Sequence, residues 1–187
     1  MLPCSRACEH KETWAAQILP YIEQATVADQ WIPGRCFYDQ PASLRETVVP
    51  IYLCPSRGAN RPLSTNTSDV LHGHPSTTFL GTIADYTSVS GSNNPNNGGG
   101  AYLEANYNGA LIYGHYDGYS PTSAFYPVVM TGYRSRTSMA SIRDGTSNTV
   151  LIGEITPANI ATCSAFNGDC SAGRRLGPDA PIIRRGQ

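Results

Sequence analysis

The sequence predicts an α+β fold: one N-terminal helix packed on a short-stranded antiparallel sheet, loop-rich and stapled by disulfides. Three observations point there. A helical apolar pattern occurs near the N-terminus, where Trp14, Ile18, Ile22 and Ala25 recur at four- and three-residue steps. Short runs rich in β-branched and aromatic residues follow it, separated by Gly, Pro, Asn and Ser. Helix first and strands afterwards is the order of a fold that keeps its helix apart from its sheet.

The helix is expected to start at Thr13, a good N-cap residue. Pro20 either kinks it or opens a second helix at its first turn, and Pro33-Gly34 ends the segment. Residues 35–47 read as a connection. Val48 to Cys54 reads as a strand, with Pro50 placing it at an edge or a bulge. Residues 55–78 read as a long polar loop. Phe79 to Ser90 holds one or two short strands, and Gly91 to Gly100 is a low-complexity turn segment. Further strands are expected at residues 109–113 and Tyr126 to Met130, while Thr137 to Ile142 is ambiguous. Asp144-Gly145 signals a turn, and Asn148 to Glu154 is the clearest strand of the chain. The last 20 residues lack periodicity and read as a tail. The expected organisation is one domain over residues 1–155 and an irregular C-terminal extension over 156–187.

Composition narrows the function. Charged residues make up 14 % of the chain, well under the roughly 25 % usual in globular proteins. With a net charge of -1, nothing in the composition suggests the clustered basic excess that a nucleic-acid footprint needs. No run approaches the roughly 20 apolar residues that span a bilayer. Met1 to His10 also lacks the apolar stretch of an export signal, so an export segment would be one removed from this chain or lying outside it. Six cysteines in a polar, loop-rich chain indicate disulfides and an oxidising compartment, at the cell surface or outside it. The candidates are Cys4, Cys8, Cys36, Cys54, Cys163 and Cys170. Cys163 and Cys170 enclose a short polar loop and are the best local pair. The others remain open among many pairings, and Cys4, Cys8 and His10 do not form a haem-attachment pattern.

Three further features resemble sites. Asp144 and Asn148, with neighbouring carbonyls, offer oxygen ligands for calcium. The alternative is a plain turn, with Asp and Asn bonding their own backbone and Gly145 supplying positive φ. His72 and His74 lie two apart, a metal-compatible spacing, without an evident third ligand. Residues 101–133 carry seven tyrosines. Of these, Tyr102, Tyr107, Tyr113, Tyr116 and Tyr119 suit a subunit interface or a glycan-binding face, since the ring buries area and the hydroxyl keeps a polar contact. Catalytic arrangements are not found. There is no nucleophile elbow, no H-E-x-x-H and no P-loop, and Glu12, Glu23 and Glu154 sit in separate segments.

Three segments carry a family resemblance: Trp14 to Gln24 (WAAQILPYIEQ), Ile51 to Ser56 (IYLCPS) and Ile142 to Glu154 (IRDGTSNTVLIGE). Together with Ala84 to Gly91 they resemble the large prepilin-like family of unknown function abundant in planctomycetes. The resemblance covers roughly residues 12–155. It implies a type IV pilin-like head domain on an exported protein, with no enzyme activity. Two of the family's features are missing: the N-terminal methylation segment with its long apolar helix, and the C-terminal His-x9-Asp-Gly motif. The expectation is therefore a head separated from a longer protein or a diverged member, with any membrane contact made by a helix this sequence lacks. The function expected is that of a non-enzymatic, exported structural subunit that assembles with itself into a filament or surface layer. The alternative is an extracellular glycan- or solute-binding module.

Overall fold

A computed structural model of the chain describes residues 1–7, 12–57, 63–67, 77–91, 109–112, 114, 132–143, 145–155, 164–167 and 174–175. The fold is mixed α+β, with short helices and, among the described residues, two small sheets. The N-terminal helical segment is broken into pieces. Helix α1 runs Trp14–Ile18, a 3₁₀ turn follows at Leu19–Tyr21, and α2 runs Ala25–Ala28. Thr13 has the extended backbone of an N-cap, but its hydroxyl does not cap the helix. It donates instead to the carbonyl of Ala165, 3.0 Å away, tying the helix start to the far end of the chain. Pro20 sits at the start of the 3₁₀ turn, where a missing N–H does no harm. Glu23 then reverses the chain with φ at 61°.

Val48 to Cys54 is not a strand. Pro50 opens a 3₁₀ turn over Pro50–Tyr52. Burial follows a three-residue step there: Val49 and Tyr52 are buried while Val48 and Ile51 are exposed. A strand would have alternated in twos, so the composition of this run is misleading and its proline decides. The connection at 35–47 contains a 3₁₀ turn at Phe37–Asp39 and helix α3 at Ala42–Arg45.

Strand β1 (Ser64–Thr67), inside the expected long loop, pairs antiparallel with β2 (Thr78–Gly81). Strand β3 (Tyr86–Gly91) lies between β4 (Ile152–Glu154), antiparallel, and β5 (Arg174–Arg175), parallel. The strands expected within Phe79 to Ser90 and Asn148 to Glu154 are thus present. Among the described residues the strands fall into two sheets rather than a single antiparallel one, and the expected tail contributes β5. Residues 109–112 are not a regular strand either. Their buried side chains are pinned by the N-terminal segment, with the Ser5 N–H donating to Ile112 and the Gly114 N–H to Arg6. Thr137 to Ile142 contains a 3₁₀ turn, Met139–Ser141, closed by reciprocal bonds between Ser138 and Ser141. Tyr126 to Met130 lies outside the described residues.

The core collects Trp14, Leu19, Phe37, Leu44, Val49, Tyr52 and Phe166. Aromatic rings meet edge to face: Trp14 with Tyr52 at 5.8 Å, Trp31 with Phe166 at 5.9 Å, Tyr52 with Phe166 at 6.4 Å. Among the described residues no helix is long and apolar enough to cross a membrane.

Candidate functional site

The four segments singled out in the sequence converge on one polar node, buried at its centre and partly exposed at Arg57 and Glu154. Its centre is Asp85, fully buried at the entry to β3. One carboxylate oxygen accepts the backbone N–H of Cys54 at 2.8 Å, and the other accepts Arg57 Nη1 at 3.0 Å. The same guanidinium reaches Glu154 Oε1 at 2.9 Å and also donates to the Ile155 carbonyl. The backbone of Asp85 completes the lock. Its N–H donates to Tyr52 at 2.8 Å and its carbonyl accepts from Ile155 at 2.7 Å. Tyr52 carries the network to the helix, its hydroxyl donating to the Ala15 carbonyl at 2.6 Å. Burial pushes the Tyr52 phenol up, so it stays a donor.

This geometry explains local choices in the chain. The 3₁₀ turns at Pro50–Tyr52 and Pro55–Arg57 present the Cys54 N–H and the Arg57 guanidinium to the same carboxylate. The fork of Arg57 bridges the two acids, a task suited to a planar guanidinium. Beside the node, Cys54 Sγ and Ser56 Oγ share a hydrogen bond at 3.0 Å. Tyr86 has its phenol pushed up by burial and by the nearby Cys54, Glu154 and Asp85.

A second cluster fastens the N-terminus. The Gln17 side chain clasps Cys4, accepting its backbone N–H at 3.0 Å and donating to its carbonyl at 3.1 Å. Burial pushes the Cys4 thiol up to about 12, against the opposing pull of the Gln17 hydrogen bond. Glu12, half-buried nearby, accepts a 2.9 Å hydrogen bond from the Tyr133 hydroxyl. Burial raises the Glu12 carboxyl, and the Tyr133 bond partly offsets this.

Other sequence candidates are placed as follows. Cys4, Cys36 and Cys54 are buried, and no disulfide joins any of these three to another. Cys36 Sγ donates to Asp39 at 3.4 Å. Cys8, Cys163 and Cys170 lie outside the described residues, as do Asp144, His72, His74 and Tyr102, Tyr107, Tyr113, Tyr116 and Tyr119. Asn148 is exposed on a 3₁₀ turn, its N–H donating to Gly145, whose φ is 85° as a turn there requires. Among the described residues no cluster of three or more His, Cys, Asp or Glu could hold a metal. Sequence reasoning missed Arg57 and Asp85 as a pair. The signal available was a lone Asp inside a strand-like run, Ala84-Asp85-Tyr86, since a charge there needs a buried partner.

What the node does chemically is hold. Arg57 and the Cys54 N–H occupy both oxygens of Asp85, which suits positioning rather than proton transfer. No curated protein and no solved structure matches the chain. A family model described as a protein of unknown function (DUF1559) matches residues 2–181, and over that span the chain belongs to this family.

Proposed function

We propose that the chain is a non-enzymatic structural protein, exported and displayed as a pilin-like head that assembles with further copies at the cell surface or in a filament. The observation that supports this is the use made of the segments that carry the family resemblance. Trp14, Tyr52, Asp85 and Glu154 are engaged in internal ring contacts, hydrogen bonds and an ion pair. A fold whose signature residues are taken up in holding its own shape suits a repeated building block. A disulfide closing the Cys163–Cys170 loop belongs to the same reading.

The test is negative-stain electron microscopy of the native, unreduced protein together with its mass in solution. Filaments, a lattice or a mass that grows with concentration are expected. A strictly monomeric species with saturable affinity for a glycan or solute would overturn the structural reading and establish the binding module.

A further inference from the structure

We infer that Glu12 and Tyr133 form a pH-sensitive latch over the Cys4 thiol, closed while Glu12 is protonated and opened by its ionisation. The latch lies apart from the Asp85 node and from the main core, in a small cluster of Cys4, Ala7 and Tyr133. Cys4 is 1 % exposed. The Gln17 amide nitrogen lies 3.1 Å from its sulfur, and Gly114 comes so close that a Cβ there would stand 3.1 Å from it. Ala7 and the Tyr133 ring complete the cover. Three of these neighbours are tied to the backbone of the N-terminal ribbon. Gln17 clasps Cys4, the Gly114 N–H donates to Arg6, and the Ala7 N–H donates to Glu12. Tyr133 instead stands between the exposed Gly132 and Arg134, and its hydroxyl reaches a side chain, that of Glu12. It is the piece that can lift.

The setting of Glu12 decides when it lifts. Arg6 bridges Thr13, with Ala7 opposite Glu12. Side chains alternate along such a ladder, so Glu12 shares the face of Ala7. Arg6 and Thr13 point to the other face, where they reach the carbonyls of Asn167 and Ala165. Facing Glu12 are two further acids, the Cys4 thiol and the Tyr133 hydroxyl, which donates to its Oε2 at 2.9 Å. Gln17 and Gly114 bring no charge. Among the described residues no cation pairs with the carboxyl, and Glu9, His10 and Lys11 lie outside them. A neutral carboxyl suits this place. A carboxylate without a cation demands water, and lifting Tyr133 admits it. The Tyr133 bond favours the carboxylate, but burial outweighs it and holds the carboxyl above its ordinary range. Opening therefore becomes easier as pH rises from the ordinary value of 4.5 to the folded one, by up to about tenfold per pH unit.

The latch is tested by labelling the full-length protein with a pyridyl disulfide reagent from below pH 4.5 to neutrality, each modified cysteine being located by peptide mass spectrometry. In the closed form burial pushes the Cys4 thiol up to about 12, so labelling reports the open form. Cys36 and Cys54, buried elsewhere, report wholesale unfolding. Glu12→Gln cannot ionise, and a near-native Tm checks its folding. Wild type and Glu12→Gln are expected to label Cys4 at equal rates below pH 4.5. Toward neutrality the wild type is expected to label Cys4 faster, by about tenfold for each pH unit by which the carboxyl is raised, with Cys36 and Cys54 alike in the two proteins. Tyr133→Phe keeps the ring and removes the bond that favours the carboxylate, so its Cys4 labelling is expected to climb more steeply with pH than the wild type's. A wild type that tracks Glu12→Gln at every pH, a rise shared by Cys36 and Cys54, or a Tyr133→Phe protein that matches the wild type overturns the latch.

Discussion

Asp85 concentrates several demands on one buried carboxylate. One oxygen must meet the Arg57 guanidinium while the other points at the Cys54 N–H. Asp85→Asn keeps the shape and loses the charge, and is expected to cost about 1.5–3 kcal/mol by urea unfolding, the usual worth of a hydrogen bond to a charged group. Gly81 is constrained by space rather than charge. A Cβ there would lie 2.6 Å from Ser164 Oγ and 2.8 Å from Phe37 Cζ. Gly81→Ala is therefore expected to cost about 1–3 kcal/mol through overpacking, read as a lowered urea midpoint. Glu12 makes stability depend on pH. Its folded carboxyl is raised, chiefly by burial, above the ordinary value of 4.5. A raised carboxyl contributes its stability below that ordinary value and loses it as pH rises through the folded value. Glu12→Gln keeps an acceptor for Tyr133 and cannot ionise. Unfolding curves of the two proteins should agree below about pH 4.5 and separate in the variant's favour as pH climbs.

At the scale of elements, prolines and one left-handed residue set the boundaries. Pro20 ends α1, and Glu23 with φ at 61° turns the chain into α2. A residue with a Cβ is disfavoured in that region, whereas glycine is not. Glu23→Gly is expected to raise stability by about 0.5–1 kcal/mol, read as a higher urea midpoint. The same elements show what could be read in advance. Trp14, Ile18, Ile22 and Ala25 announced a helix by their spacing, yet the run is broken at Leu19–Tyr21, Ala25 is exposed, and Leu19, which only flanked that pattern, is fully buried. The IGE end of Asn148 to Glu154 announced a strand because its central residues are strand formers. Val48 to Cys54 read as a strand because composition cannot see that Pro50 bends the run into a 3₁₀ turn. Strand β1, with sequence STNT, has no apolar pattern at all. It exists because β2 offers a partner, and Ser64 Oγ reinforces the pair by donating to the Gly81 carbonyl at 2.9 Å. Asp85 in its strand-like run called for a buried partner, but which residues would meet there was not legible, since Arg57 and Glu154 come together only across 97 positions of chain.

For the whole molecule, the defining feature is that both flanks of the chain are built into one core. Phe166 is fully buried against Trp31 and Tyr52, although nothing in the periodicity around it marks a core residue. Phe166→Ala is expected to cost about 3–5 kcal/mol and to lower the Tm of the entire domain in one transition, measured by calorimetry. The Arg6 guanidinium donates to the Asn167 carbonyl at 3.1 Å, a bond between residues 161 positions apart. That bond is also a clock. At ribosomal rates of about 5–20 residues per second, Arg6 waits roughly 10–30 s for Asn167 to be made. Until then the Thr13 hydroxyl has no Ala165 carbonyl to bond and Trp31 has no Phe166 ring to pack on. The nascent chain therefore lacks these contacts until residues 165–167 have been made, and the core they complete closes only after that point.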